Sequence, residues 1–121
     1  MAKKYKQTRL SAVDAKLINA VREGDYVGMV IAMENGANVD AKDPKFGISA
    51  LTIASIRGNL YNVDRLLQSG ANPYVRDPVD NWTAIDYAEW FGRRSIADRL
   101  AVAMKQAVAL RKDVPKAMLR D

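Results

Sequence analysis

The chain has 121 residues, a formal net charge of +5, and neither cysteine nor histidine. That length suits one domain, and the composition excludes disulfides, thiolate metal sites and every mechanism that needs an imidazole base or ligand. No apolar run approaches the roughly 18 residues of a membrane-spanning helix, and no apolar stretch of signal-peptide type follows the basic start, so a cytoplasmic protein without metal or cofactor is expected.

Residues 1–10 read as a basic arm, with Lys3, Lys4, Lys6 and Arg9. Ser11, followed by Asp14, has the spacing of a capping box and opens a helix to about Glu23, with Val13, Leu17, Ala20 and Val21 turned inward. A second helix runs from about Tyr26 to Asn35 and carries Met29, Val30, Ala32 and Met33. Gly36 to Phe46 is rich in turn formers and predicts an exposed β-turn finger. Ser49 caps the next helix, in which Leu51, Ala54 and Ser55 share a face until Gly58 stops it. Asn59 restarts a helix, with Leu60, Val63, Leu66 and Leu67 at helical spacing, and Gly70-Ala71-Asn72 ends it. A second finger follows, from Gly70 to Trp82. Thr83 caps a helix to about Phe91, Gly92 turns the chain, and a helix resumes near Ser95. No glycine follows Leu100, so this last helix continues through Met104 and Leu110 until Val114-Pro115 forbids it. Residues 113–121 form a tail.

This order is a repetition with a step of 34 residues. Asp43, Pro44, Ala50, Ala54, Gly58, Asp64, Arg65 and Leu66 recur as Asp77, Pro78, Ala84, Ala88, Gly92, Asp98, Arg99 and Leu100. In the other direction Leu51, Ala54, Gly58, Gly70, Ala71, Asn72 and Asp77 match Leu17, Ala20, Gly24, Gly36, Ala37, Asn38 and Asp43. Each unit is a short helix, a tight turn, a longer helix and a Gly/Asn/Asp/Pro-rich excursion. Ser49-Ala50-Leu51-Thr52-Ile53-Ala54, Gly58, Val63 to Leu67 and Gly70-Ala71 resemble the signature of the ankyrin repeat family, as do Thr83 to Ala88, Gly92 and Ala97 to Leu100. The departures are Ala50 and Ala84 at the family's proline, Thr52 and Asp86 at its histidine, and one extra residue in each finger. The resemblance implies an all-α solenoid of about three helix-turn-helix repeats with β-turn fingers, closed by an extended C-terminal helix. The expected divisions are 11–43, 44–77 and 78–112, with the first copy lacking its preceding hairpin and acting as a cap. Leu51, Ile53, Val63, Leu66, Leu67, Ile85, Leu100, Met29 and Met33 are the expected core.

Catalysis has little to stand on. Asp77, Asp80 and Asp86 cluster, but aspartates at such places make turns and caps, and no glycine-rich phosphate loop is present. The expectation is therefore no enzyme. The resemblance implies instead a concave face, lined by finger tips and the outward side of each first helix, that holds a protein partner. Aligned on the family, the partner-binding positions are Lys45, Phe46, Ile48, Val79, Asp80 and Trp82 in the fingers, with Ile56, Arg57 and Trp90 at the ends of the first helices. Phe91, beside the turn glycine, is read as packing. Trp90 lies about 140° round the helix from Ile85, so the two cannot both face the same core. Ile48 and Ile56, with Trp82 and Trp90 as anchors and Arg22, Lys45, Arg57 and Asp80 as rim, form a candidate interface. Trp82 covering its own finger and Trp90 lying under the last helix are the competing readings.

The charge allows a second function. Residues 1–10 carry +4 and residues 104–121 carry +3, which leaves −2 on the repeat body. The basic ends, Lys3, Lys4, Lys6 and Arg9 with Lys105, Arg111, Lys112 and Lys116, are an alternative grip for nucleic acid or an acidic membrane surface. A monomeric adaptor, inhibitor or subunit of a larger assembly is the reading preferred.

Overall fold

In the computed structural model, residues 9–110 and Pro115 are described. The helices among them are α1 (Ala12–Glu23), α2 (Tyr26–Glu34), α3 (Ala50–Arg57), α4 (Leu60–Gln68), α5 (Ala84–Trp90) and α6 (Arg94–Leu110). Extended pairing among the described residues is limited to the isolated bridge between Lys42 and Ser49 at the base of the first finger. The basic arm over 1–8, the expected stop at Val114 and the tail cations Arg111, Lys112 and Lys116 lie outside the described residues.

The helix starts follow the caps. Ser49 and Asn59 accept the backbone N–H of Thr52 and Asn62 at 3.2 and 3.1 Å. Thr83 and Asp86 form a reciprocal capping box, the Asp86 carboxylate accepting Thr83 N–H at 2.9 Å. Thr52 and Asp86, which stand at the family's histidine position, thus both bond back to their own cap residue. The box expected at Ser11 is only half formed. Ser11 accepts Asp14 N–H at 3.2 Å, but the Asp14 carboxylate turns away and accepts Asn38 N–H at 2.8 Å, tying α1 to the loop after α2.

The copies agree in backbone conformation, not only in sequence. Gly24, Gly58 and Gly92 have φ of 73°, 79° and 71° at the turn between paired helices, a left-handed region that favours glycine. The two fingers close with the same pair of bonds, Asp43 N–H to Ile48 O and Gly47 N–H to Asp43 O in one, Asp77 N–H to Trp82 O and Asn81 N–H to Asp77 O in the other. Asn81 takes the conformation of Gly47, with φ 60° against 72°, as asparagine can at modest cost.

First helices α1, α3 and α5 pack in one row and second helices α2, α4 and α6 in another. The first row is the more tightly packed, and by the resemblance to ankyrin repeats it is the row that lines the concave side. Leu17, Val21, Met29, Leu51, Val63, Leu66 and Leu100 are fully enclosed between the rows, each contributing about 1.5–3 kcal/mol. Ile53, Met33, Leu67 and Ile85, expected in the core, are instead only partly buried against it. Ile18 was not expected there and is buried.

Candidate functional site

The concave side carries two openings. The first is a groove of about 470 Å³ bounded by α1, the first finger and α3, with Leu10, Ile18 and Ile53 as its apolar floor and Arg22, Lys45, Phe46 and Ile48 along it. It lies at the α1 end of the row. The second is a recess of about 500 Å³ at the other end of the face, lined by Arg76, Asn81, Trp82, Asp86, Glu89 and Trp90.

The expected partner-binding residues divide between these places. Lys45, Phe46 and Ile48 line the N-terminal groove; Phe46 is half exposed with the Lys45 ammonium 5.2 Å from its ring centre, a cation–π contact. Trp82 and Trp90 line the recess. Val79 and Asp80 stand exposed at the tip of the second finger. Ile56 is half-buried and lines neither opening. Arg57 is exposed but lies over the neighbouring turn, where its guanidinium would meet a Cβ placed on Gly24 at 3.0 Å.

Trp90 is 73% exposed, not covered by α6. Its ring packs on the half-buried ring of Trp82, with centroids 5.8 Å apart and planes tilted by 60°. Trp82 in turn meets Tyr87 edge-on at 5.0 Å. The aromatic contacts of the recess therefore run along one repeat rather than from one repeat to the next. Phe91, read as packing, is half exposed instead: as the residue that caps α5 it leads outward into the Gly92 turn.

Below the aromatic row lies a polar clamp that the sequence reading missed. The buried Asp77 carboxylate accepts backbone N–H bonds from Val79 at 2.9 Å, Asp80 at 2.6 Å and Trp82 at 3.2 Å, and a 2.7 Å bond from the Tyr87 hydroxyl. Burial pushes this carboxyl up, but the Tyr87 hydroxyl and the N–H groups of Asp80, Trp82 and Val79 together outweigh it and hold it below the usual aspartate value. Tyr87 is driven far above the ordinary tyrosine range by burial, by its bond to Asp77 and by the charges of Asp77 and Asp80. The equivalent Asp43 is buried as well, but its partner is Arg22, at 2.5 Å, and it also accepts the Phe46 N–H. Arg22, expected as a free rim charge, is thus engaged in holding a finger. Turn chemistry accounts for Asp77 and capping for Asp86, and no group of three or more acidic side chains suited to a metal ion occurs among the described residues. No helix among the described residues is long and apolar enough to cross a membrane.

Residues 51–101 match the family model of ankyrin repeats (many copies). Among curated proteins, the chain is similar to the ankyrin repeat protein nuc-2 of Neurospora crassa, with 32% identity over 81 residues. That alignment takes in 67% of this chain and 8% of the relative, so the chain spans a small part of the protein it resembles. Ankyrin repeats are in general protein–protein interaction modules and are typically non-enzymatic. The matched segment, the shared signature and the like conformation of successive copies place this chain in the ankyrin repeat family.

Proposed function

We propose that this chain is a non-enzymatic module that binds a protein partner on its concave face, with Trp90 as the principal anchor and Trp82 behind it. The observation that carries this reading is a large aromatic side chain held in the open. Trp90 is 73% exposed on a face bordered by two recesses, and its ring packs on Trp82, which in turn meets Tyr87. A rigid exposed tryptophan beside a concavity offers much apolar area with little ordering cost on binding, which is how interface anchors act. Lys45, Phe46 and Ile48 supply a second contact at the N-terminal groove, and Val79 and Asp80 contact the partner from the finger tip. Ile56 and Arg57 are the support between them. A stack of this size acts in the cytoplasm as an adaptor, an inhibitor or one subunit of an assembly.

The test is affinity capture with the wild-type chain and a Trp82→Ala, Trp90→Ala variant whose helical circular dichroism is unchanged. A protein held by the wild type and lost by the variant supports the anchor. Equal recovery by both removes it, and recovery of nucleic acid that dissociates steeply with salt replaces the reading by one based on the basic ends.

A further inference from the structure

The recess at the α5 end of the face has a chemistry that the anchor reading does not use. Asp86, Glu89 and Trp90 stand three and four residues apart on α5 and so share one side of it, and Trp82 packs on Trp90 with its plane tilted by 60°. Two indole walls and two carboxylates thus border a single opening of about 500 Å³, with Arg76 and Asn81 completing its lining. Asp86 uses only its Oδ2 in the capping box. Neither it nor Glu89 enters an ion pair among the described residues, where the pairs are Arg22 with Asp43 and Arg99 with Asp64.

Negative charge is concentrated at this place. Residues 76–91 hold Arg76 against Asp77, Asp80, Asp86 and Glu89, a net of −3, whereas the repeat body as a whole carries −2. The +5 of the chain does not oppose this, because it resides in the two ends. The N-terminal groove has the opposite sign, with Arg22 and Lys45 against Asp43.

We propose, resting on the reading of Trp90 as a partner's contact, that the recess takes an arginine side chain from a basic segment of the partner, stacked on the exposed Trp90 with its N–H groups directed at Glu89 and Asp86. A negative site walled by aromatic faces attracts a cation twice over, through the ring quadrupole and through the carboxylates. A guanidinium suits both better than an ammonium, because it is flat enough to lie on an indole and still offers its edge to a carboxylate. No cation of this chain fills that place among the described residues. The cation over a ring is Lys45 on Phe46 at 5.2 Å, and the Arg76 guanidinium is committed to Asn81 O at 2.7 Å. Arg76 reduces the lining to a net −1 and turns an incoming cation toward α5, away from itself.

Both tryptophans of the chain line this recess, so their emission reads this site and no other. The full chain is titrated with a blocked pentapeptide of glycine and serine carrying one central arginine, and with the same peptide carrying citrulline, its neutral counterpart. The arginine peptide should give a saturable change with millimolar dissociation, about fivefold tighter than the citrulline peptide at low salt and converging on it as salt rises. Glu89→Gln, at an exposed position outside the capping box, should remove most of that difference with helical circular dichroism unchanged. Equal binding of the two peptides, no response to either, or a preference that Glu89→Gln leaves whole overturns the proposal. Affinity capture separates this failure from that of the anchor. A partner held through Trp82 and Trp90 but indifferent to Glu89→Gln leaves the anchor and removes the cation, whereas equal capture by the wild type and the tryptophan variant removes both.

Discussion

The Tyr87 hydroxyl donates a 2.7 Å hydrogen bond to Asp77, ten residues back, and so joins α5 to the root of the second finger. In the preceding copy the equivalent aspartate, Asp43, turns to Arg22 of α1 instead. One finger is therefore held from the helix that follows it and the other from a helix that precedes it.

Tyr87→Phe removes one donor from a buried carboxylate and is expected to cost about 1–3 kcal/mol. Its signature lies in the pH dependence. The folded Asp77 carboxyl titrates below its unfolded value, so its contribution is complete above about pH 4 and is lost as pH falls through the lower folded value. The phenylalanine variant should narrow that difference and flatten the acid side of the stability curve. Tyr87 has the opposite sign, its folded value being raised. Its contribution is complete below about pH 10 and lost as pH rises beyond it. Urea midpoints across the acid range, and then the alkaline range, measure both.

Arg22→Met keeps most of the side-chain stem but leaves Asp43, almost fully enclosed, without its cation. The loss should be about 1 kcal/mol, since Arg22 itself is half open to water and its pairing is screened accordingly. A second change, Asp43→Asn, removes the stranded charge, so the double variant should lose less than the sum of the two single losses. A double-mutant cycle in urea reads the coupling, and strict additivity would show that the pair contributes nothing.

Asn62 is fully buried in α4, with neither amide atom hydrogen bonded. The next copy has Ile96 at the same place, also buried. Asn62→Leu, similar in branching and without orphaned polar atoms, should stabilise the stack by about 1 kcal/mol, a shift of several degrees in Tm. A fall in Tm would mean that the extra volume of leucine outweighs the desolvated amide.

Gly58→Ala combines two costs. The left-handed φ of 79° is unfavourable for alanine, and the new Cβ would come within 2.8 Å of the Arg93 guanidinium. Gly92→Ala carries only the first, as its surroundings are open. Each should lower stability by about 1 kcal/mol or somewhat more, with Gly58 the larger because Arg93 must also give up its 3.1 Å bond to Ile56 O. Thermal melts of the two variants side by side decide the order.

The repeating glycines, caps and aspartates were legible because each is required by backbone geometry that recurs at every step. What the period could not express is what differs between copies. Positions 18, 52 and 86 hold Ile, Thr and Asp, so no common apolar residue marked Ile18 for burial, although Thr52 at the same place in the next copy is buried as well. Tyr87 aligns with Ile53, which has no hydroxyl, and its partnership with Asp77 is made in space alone. Asn62 reads as a surface residue by type, yet it is fully buried.

Trp82 and Trp90 touch each other, but their losses should differ in kind. Trp90→Ala removes a mostly exposed ring and forfeits little burial, so its stability should stay within about 0.5 kcal/mol of the wild type. Trp82→Ala removes a half-buried ring that packs on Tyr87 at 5.0 Å and on Trp90 at 5.8 Å. It should cost about 1–2 kcal/mol, because aromatic contact is lost together with part of the cover over the Asp77 clamp. If Trp90 anchors a partner, its replacement weakens binding with the fold intact, whereas replacement of Trp82 weakens both. Urea unfolding of each variant, set beside titration against the captured partner, separates anchor from support. Equal destabilisation by the two would mean that Trp90 serves packing, and the anchor role would then pass to the groove around Phe46.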